Sequence, residues 1–178
     1  MSSKLFFDLD RIDQTKIEIP IDEIRRYNRQ RYEFEQLDGI FALLKDEGFI
    51  VGFKDIRPDE FWVRGHIPGM PLFPGVLMIE AAAQLCSVYQ TRVLPVKGFF
   101  GFGGIDGVRF RSKVVPGERL ILLARVVHLS ERRSTFEVQG VVAGRLVFEA
   151  TIFGIAIPDL FAAARAQASP APDAKEAL

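Results

Sequence analysis

A long apolar helix that carries one charge constrains this chain more than any other feature of its sequence. An uninterrupted helix is predicted from Val76 to about Arg92, and its residues are apolar on nearly every face. A helix that is apolar all round is a buried helix, so the rest of the chain is expected to wrap around it. Between Arg64 and Arg92 the only formally charged residue is Glu80, which lies on that helix.

Glu80 is predicted to be either paired or used in chemistry. A buried carboxylate without partners costs several kcal/mol of folding free energy, which proteins rarely leave uncompensated. Glu80, Gln84 and Ser87 are spaced by four and three residues, so they share one stripe of the helix. If Glu80 only orders the core, Gln84 and loop amides would donate hydrogen bonds to its carboxylate. If Glu80 is catalytic, Gln84 would hold the carboxylate in position.

A histidine in the loop before this helix offers the second half of an acid/base pair. His66 is followed by Pro68, Pro71 and Pro74, which restrict the backbone of the loop. Alone, such a histidine is more often an ordinary hydrogen-bonded residue than a catalyst. Together with Glu80 it supplies an imidazole base and a carboxyl acid. Those groups are needed to remove a proton next to a carbonyl and to protonate a hydroxyl leaving group.

The first residues of the helix supply a third feature. Gly75 and Val76 begin it, and the N–H groups of a first helical turn have no partner within the helix. They lie at the positive end of the helix dipole, where they can stabilise negative charge on a carbonyl oxygen. Gly75 would let a carbonyl approach the backbone closely, and it is equally compatible with ending a proline-rich turn.

The rest of the chain predicts an α+β fold. A short surface helix is expected from Asp22 to about Arg29, with Asp22 available as its N-cap. Residues 1–20 are predicted to be extended, and helical spacing is found between residues 34 and 44, weakened by Gly39. One buried helix and several antiparallel strands are typical of this class. The strands are predicted at 49–56, 61–64, 98–111, 118–129, 134–142 and 146–157.

Composition excludes several classes of function. Lys plus Arg equals Asp plus Glu at 23 each, so no charge excess points to nucleic acid or to a membrane surface. One cysteine, Cys86, excludes an intramolecular disulfide and a multi-cysteine metal site, and an inert buried thiol is expected. No signal peptide and no membrane span are recognisable, which favours a soluble cytoplasmic protein.

The loop and the helix together match a known family. Residues 65–84 read GHIPGMPLFPGVLMIEAAAQ, which resembles the signature of the 3-hydroxyacyl-[acyl-carrier-protein] dehydratases of bacterial fatty-acid synthesis. Glu80 makes the FabZ type the nearer match, because the FabA type has Asp at that position. The resemblance covers residues 21–157 and leaves an N-terminal extension over 1–20 and an Ala/Pro-rich tail over 158–178. A short helix from Phe161 to Ala168 is predicted at the start of that tail.

The resemblance implies a fold and a reaction. It implies a hot-dog fold, in which an antiparallel β-sheet wraps around a central buried helix. It implies dehydration of (3R)-hydroxyacyl-[acyl-carrier-protein] to the trans-2-enoyl product in fatty-acid or related lipid biosynthesis. By matching position, His66 would remove the α-proton and Glu80, held by Gln84, would assist loss of the hydroxyl. The Gly75 amide would hold the thioester carbonyl, with Val76 beside it.

The resemblance also implies partners and excludes cofactors. The substrate would arrive on acyl carrier protein, and no metal or organic cofactor is expected. The protein would be a homodimer or a trimer of dimers, with each active site built from His and Glu of different protomers. Arg109, Arg111 and Lys113 alternate along a predicted strand and would share one face, either solvated or facing an acidic carrier protein. His128 is predicted to be structural or exposed, and Asp106 could be a second carboxylate but is expected to have a structural role at a strand turn.

Two other interpretations of the same residues stay open. A hot-dog thioesterase would release a thiol without forming an enoyl product. A non-catalytic hot-dog protein would bind acyl chains or a carrier protein without turnover, although the intact pair of His66 and Glu80 argues against it. Chain length and the choice between carrier protein and coenzyme A are not determined by these residues.

Overall fold

The computed structural model describes residues 5–94 and 99–157, apart from the side chain of Phe99. It contains two α-helices, α1 (Ile21–Tyr27) and α2 (Gly75–Val93). The described part of the chain contains no helix long and apolar enough to cross a membrane. Seven strands complete it: β1 (Ile19–Pro20), β2 (Gly39–Leu44), β3 (Phe49–Asp55), β4 (Phe99–Phe110), β5 (Arg119–Leu129), β6 (Arg133–Val142) and β7 (Arg145–Ile157).

The strands form one antiparallel sheet around α2. Their order across the sheet is β1-β2-β3-β5-β6-β7-β4, and every neighbouring pair is antiparallel. Ala81 and Leu85 of α2 have no exposed surface or almost none, because the concave face of the sheet covers them. This confirms the predicted α+β hot-dog architecture, with the strands after α2 near their expected bounds.

Residues 39–44 of the segment from residue 34 to residue 44 form strand β2 and none of the segment is α-helical, so the helical spacing noted there was misleading. Ile40 packs in the core cluster beneath α2, whereas its neighbour Phe41 packs in a second cluster on the outer face of the sheet. Adjacent residues that face opposite sides are the mark of a strand, whose side chains alternate with a period of two. Both faces of β2 are buried, and this removes the alternation of apolar and polar residues that would have identified it.

The N-terminal extension covers the outer face of the sheet. Phe7 is buried there, and the Phe6 backbone N–H donates to Gln139 Oε1 at 3.0 Å. Only Ile19–Pro20 of residues 5–20 forms a strand, and Leu9–Arg11 forms a short 3₁₀ helix, so the prediction of an extended segment is wrong over most of it. The helix predicted from residue 161 to residue 168 lies outside the described residues.

Two further local predictions are wrong. Residues 61–64 form turns rather than a strand, because Trp62 is buried and fixes this segment against the core. Helix α1 begins at Ile21, with Pro20 at the N-cap position and no side-chain cap. Asp22 lies inside the first turn, where its carboxylate accepts from Arg25 at 2.7 Å instead of capping the helix.

A glycine in β6 gives a direct test of the packing. A Cβ at Gly140 would overlap the ring of Phe148 and lie 3.1 Å from Leu120 Cδ1. Gly140→Ala is therefore expected to lower the free energy of unfolding by about 1–3 kcal/mol through overpacking. Urea unfolding followed by circular dichroism measures this. Gly104→Ala is the matched control, since its Cβ would meet only Phe153 at 3.7 Å, and equal losses in both variants would contradict the packing.

Candidate active site

Two buried aromatic rings hold the loop that carries His66. Trp62 and Phe73 are both buried, and their ring centroids lie 5.4 Å apart in an edge contact. The backbone N–H of His66 donates to the Trp62 carbonyl at 2.8 Å, and the His66 carbonyl accepts from the Leu72 N–H at 3.0 Å. Both ends of the loop are therefore tied to the core, although its tip is exposed to solvent.

The imidazole of His66 is held in one orientation and in one tautomer. Its Nδ1 lies 2.8 Å from the Leu72 carbonyl oxygen. Because a carbonyl oxygen only accepts hydrogen bonds, Nδ1 carries the proton and donates it. Nε2 of the neutral ring is consequently left with a free lone pair. This arrangement suits a general base.

The carboxylate of Glu80 is held through one of its oxygens. Oε1 accepts from Gln84 Nε2 at 2.7 Å and from Gln30 Nε2 at 3.2 Å. Within the described residues, no hydrogen bond is found to Oε2. Among residues 5–94 and 99–157, the hydrogen-bond donors to Glu80 are thus two neutral amides, and both bind Oε1.

The buried amide of Gln84 has its orientation determined by three bonds. Its Oε1 accepts from the Gln36 backbone N–H at 3.0 Å, so Nε2 faces the other way. Nε2 donates to the Phe34 carbonyl and to Glu80 Oε1, each at 2.7 Å. Gln84 therefore anchors Glu80 to the segment before β2, which supports the predicted pairing of these two side chains.

Helix α2 is not buried on every face within one chain, which corrects the prediction from its composition. Val76 is 70% exposed, and Ile79, Glu80, Ala83 and Ser87 are partly exposed. These residues recur at spacings of three and four, so they form one stripe along the helix. The stripe is uncovered because the sheet wraps the opposite side of α2 only.

The amides of Gly75 and Val76 lie at the exposed N-terminal end of α2. Neither N–H has an acceptor among residues 5–94 and 99–157. A Cβ at Gly75 would lie 2.6 Å from the Phe110 ring, so the glycine is needed to let this half-exposed ring pack on the helix end. The structure thus supplies a packing reason for Gly75 that the sequence did not suggest.

A cavity of about 220 Å³ opens beside Glu80, between α2 and strands β4, β6 and β7. Gln30, Glu80 and Cys86 are among the residues that line it. Burial raises the pKa of the Cys86 thiol, as expected of an inert cysteine. His66 and Gly75 do not line this cavity, so a single chain does not bring His66 and Glu80 together in one pocket.

The remaining candidates lie outside the cavity. His128 is exposed on β5, as predicted, and Asp106 is exposed on β4. The predicted alternation of three cations on one strand is wrong, because β4 ends at Phe110. Only Arg109 lies on β4, while Arg111 follows it and pairs with Glu149.

Sequence reasoning missed Gln30 as a partner of Glu80. Gln30 is 50 residues away from Glu80 in the chain and directly follows a stretch that is rich in arginine. A neutral amide in such a segment carries no local signal of a role in a site. Its contribution depends on the packing of α1 and the segment after it against α2, where Asn28 Nδ2 donates to the Gln84 carbonyl at 3.0 Å.

Comparison with known proteins identifies relatives over most of the chain. Residues 28–151 match the model of the FabA-like domain family. The 3-hydroxyacyl-[acyl-carrier-protein] dehydratase FabZ of Teredinibacter turnerae is 40% identical over 138 residues, which is 75% of this chain and 94% of that protein. The enzyme of the same name from Saccharophagus degradans is 37% identical over 136 residues, 73% of this chain and 92% of that protein.

A solved structure shares the fold at low sequence identity. The dehydratase heterocomplex ApeI:P from Xenorhabdus doucetiae aligns with a TM-score of 0.65 and 14% identity. The alignment covers 82% of this chain and 97% of that chain. At such identity the likeness concerns the architecture alone, and it agrees with the antiparallel sheet around α2.

Proposed function

Because this chain belongs to the FabA-like domain family and is of its FabZ type, we propose that it is a 3-hydroxyacyl-[acyl-carrier-protein] dehydratase. It removes water from a (3R)-hydroxyacyl thioester on acyl carrier protein and forms the trans-2-enoyl thioester for fatty-acid or related lipid synthesis. The observation that carries this proposal is the Glu80 carboxyl group, held at Oε1 by two amides beside a cavity. Its Oε2 is available to donate a proton to a leaving hydroxyl.

His66 is the base of the proposed reaction. Its Nε2 removes the proton from C2 of the acyl chain, and the electron pair moves toward the thioester carbonyl. The Leu72 carbonyl, 2.8 Å from Nδ1, stabilises the imidazolium that forms, since the protonated ring still donates from Nδ1. This contact also keeps the ring from turning its Nδ1 toward the substrate.

Glu80 is the acid of the proposed reaction. A proton on Oε2 passes to the C3 hydroxyl, directly or through a water molecule, and the C3–oxygen bond breaks to release water. The electron pair from C2 then forms the double bond between C2 and C3. Gln84 and Gln30 keep Oε1 as the acceptor oxygen, so the proton is carried on the oxygen that faces the substrate.

The amides of Gly75 and Val76 are proposed to bind the thioester carbonyl oxygen. Both N–H groups are free within the described residues and lie at the positive end of a helix of 19 residues. Negative charge grows on the carbonyl oxygen as the C2 proton leaves, and donors at a helix N-terminus stabilise such charge. Glu80 lies five residues further along the same helix, an axial rise of about 7.5 Å.

A second protomer is proposed to complete each site. His66 does not line the cavity beside Glu80, and the exposed stripe of α2 is apolar at Val76. Strand β4 is the last strand of the sheet, and it carries the half-exposed rings of Phe102 and Phe110. Apolar surface of this kind next to an open strand edge favours a symmetric dimer. Sedimentation velocity distinguishes that dimer from a trimer of dimers.

The proposed activity is tested with a 3-hydroxybutyryl thioester on acyl carrier protein. We expect the absorbance of a conjugated enoyl thioester to appear, and mass spectrometry to show loss of one water from the acyl group. Release of free carrier thiol without an enoyl product would identify a thioesterase instead. Binding of the acylated carrier without any turnover would identify a binding protein.

A further inference from the structure

The cavity beside Glu80 continues along α2 toward the C-terminal end of that helix. Glu80, Ala83, Ser87 and Gln90 all line it, at spacings of three and four residues. Ten residues separate Glu80 from Gln90, which corresponds to about 15 Å along the helix axis. An acyl chain whose C3 hydroxyl lies at Glu80 therefore has room to extend parallel to α2.

Two polar side chains line this cavity toward the C-terminal end of α2. Gln90 and Ser134 are each 1% exposed, yet both line the cavity. Gln90 Nε2 donates to the Ser130 carbonyl at 3.4 Å, so Gln90 Oε1 faces away from that carbonyl. Within residues 5–94 and 99–157, neither Gln90 Oε1 nor Ser134 Oγ has a hydrogen-bond partner.

Gly154 of β7 keeps the space between these oxygens open. It pairs with Ser134 across the sheet, and a Cβ at this position would overlap Ser134 Oγ. The same Cβ would lie 3.6 Å from Gln90 Oε1. The two oxygens therefore converge on one small volume, which we name the polar end of the cavity and define by Gln90, Ser134 and Gly154.

We propose that the polar end binds a hydroxyl group on the far part of the acyl chain. A hydroxyl can donate to Gln90 Oε1 and accept from the Ser134 hydroxyl, so it satisfies both groups. A methyl end would bury both oxygens without partners, which costs binding free energy. A carboxylate end would face the Gln90 oxygen with like charge. The inference rests on the proposed dehydration and names its substrate class as long 3-hydroxyacyl thioesters that carry a second, distal hydroxyl.

The length of the preferred chain follows from the helix geometry. A distance of about 15 Å corresponds to about twelve extended carbon atoms beyond C3, because a carbon–carbon bond of about 1.5 Å advances a zigzag chain by about 1.25 Å. Shorter chains do not reach the polar end, so a terminal hydroxyl gives them no advantage. The preference for the hydroxyl is therefore expected to depend on chain length.

The test compares pairs of 3-hydroxyacyl pantetheine thioesters that differ only in a terminal hydroxyl. With the full-length protein, kcat/KM is expected to favour the hydroxyl-ended chain by about tenfold at the matching length, and not for short chains. Ser134→Ala should lower that ratio about fivefold or more, and Gln90→Leu should raise kcat/KM for the methyl-ended chain. Thr135→Val is the matched control. Thr135 directly follows Ser134 on β6, so its side chain faces the other side of the sheet.

Several outcomes would overturn the inference. Equal kcat/KM for both members of every pair would do so, as would a Ser134→Ala variant that affects both members equally. Turnover of the 3-hydroxybutyryl thioester without any preference among long chains would overturn this inference alone. Absence of an enoyl product with every thioester would overturn the proposed function itself.

Discussion

Replacing His66 with alanine is expected to lower kcat for dehydration by about 10²- to 10⁴-fold, the usual contribution of a positioned general base. Nε2 of His66 is the atom proposed to take the C2 proton, and alanine offers no replacement for it. The loop is expected to stay folded, because the backbone of residue 66 keeps its hydrogen bonds to the Trp62 carbonyl and the Leu72 N–H. Neither of these bonds uses the imidazole ring. Initial rates of enoyl formation at saturating substrate measure the effect.

Glu80→Gln is expected to lower kcat by a similar factor, because it removes the proposed proton donor to the C3 hydroxyl. Glutamine can present its oxygen to Gln84 and Gln30 as Glu80 Oε1 does, so the structure is retained while the proton donor is lost. The matched controls are His128→Ala, the only other histidine of the chain, and Glu47→Gln, whose surface carboxylate pairs with Arg11. Full activity in either site variant would contradict the assigned role of that residue.

Mixing the two inactive variants is expected to restore activity. In a dimer of one His66→Ala chain and one Glu80→Gln chain, the first chain supplies an intact Glu80 and the second an intact His66. If each site uses both chains, one of the two sites is complete, and the mixed dimer has about half of the wild-type kcat. Because kcat of each variant homodimer is expected to be 10²-fold or more below the wild-type value, this is a large recovery of activity. Two affinity tags on co-expressed chains isolate the mixed dimer.

The reciprocal pairing is the control for this experiment. A wild-type chain paired with a chain carrying both His66→Ala and Glu80→Gln has no complete site if sites are shared between chains. The same dimer keeps one complete site if His66 and Glu80 of one chain act together. Activity in this dimer, together with none in the first, would show that each chain holds its own site.

The strands after α2 could be predicted from the sequence because their turns carry local signals. Gly117 and Gly144 adopt positive φ angles of 93° and 75°, which glycine accepts without strain, and each lies between two predicted strands. The segment at β2 lacked such a signal. Its residues are apolar on both faces, so their spacing fitted a helix as well as a strand, and only burial on both sides of the sheet decided between them.

The proposed catalytic residues also combine a local sequence signal with an arrangement that only the tertiary structure decides. His66, Gly75 and Glu80 stand close together in the sequence, so the loop and the helix could be recognised as one motif. Their arrangement in space could not be read from it, since Glu80 was expected to be buried and lies on the open stripe of α2. The sheet covers only one side of the helix, and that is a property of how the strands curve around it.

The sequence by itself determined the elements whose pattern is local: the apolar helix, the strands with glycine-containing turns, and the motif from residue 65 to residue 84. The tertiary structure alone decided which groups meet. Gln30 reaches Glu80 across 50 residues, and the polar end joins Gln90, Ser134 and Gly154 from three different elements. Such contacts depend on strand register and helix packing, which arise from the burial of the whole chain rather than from any short segment.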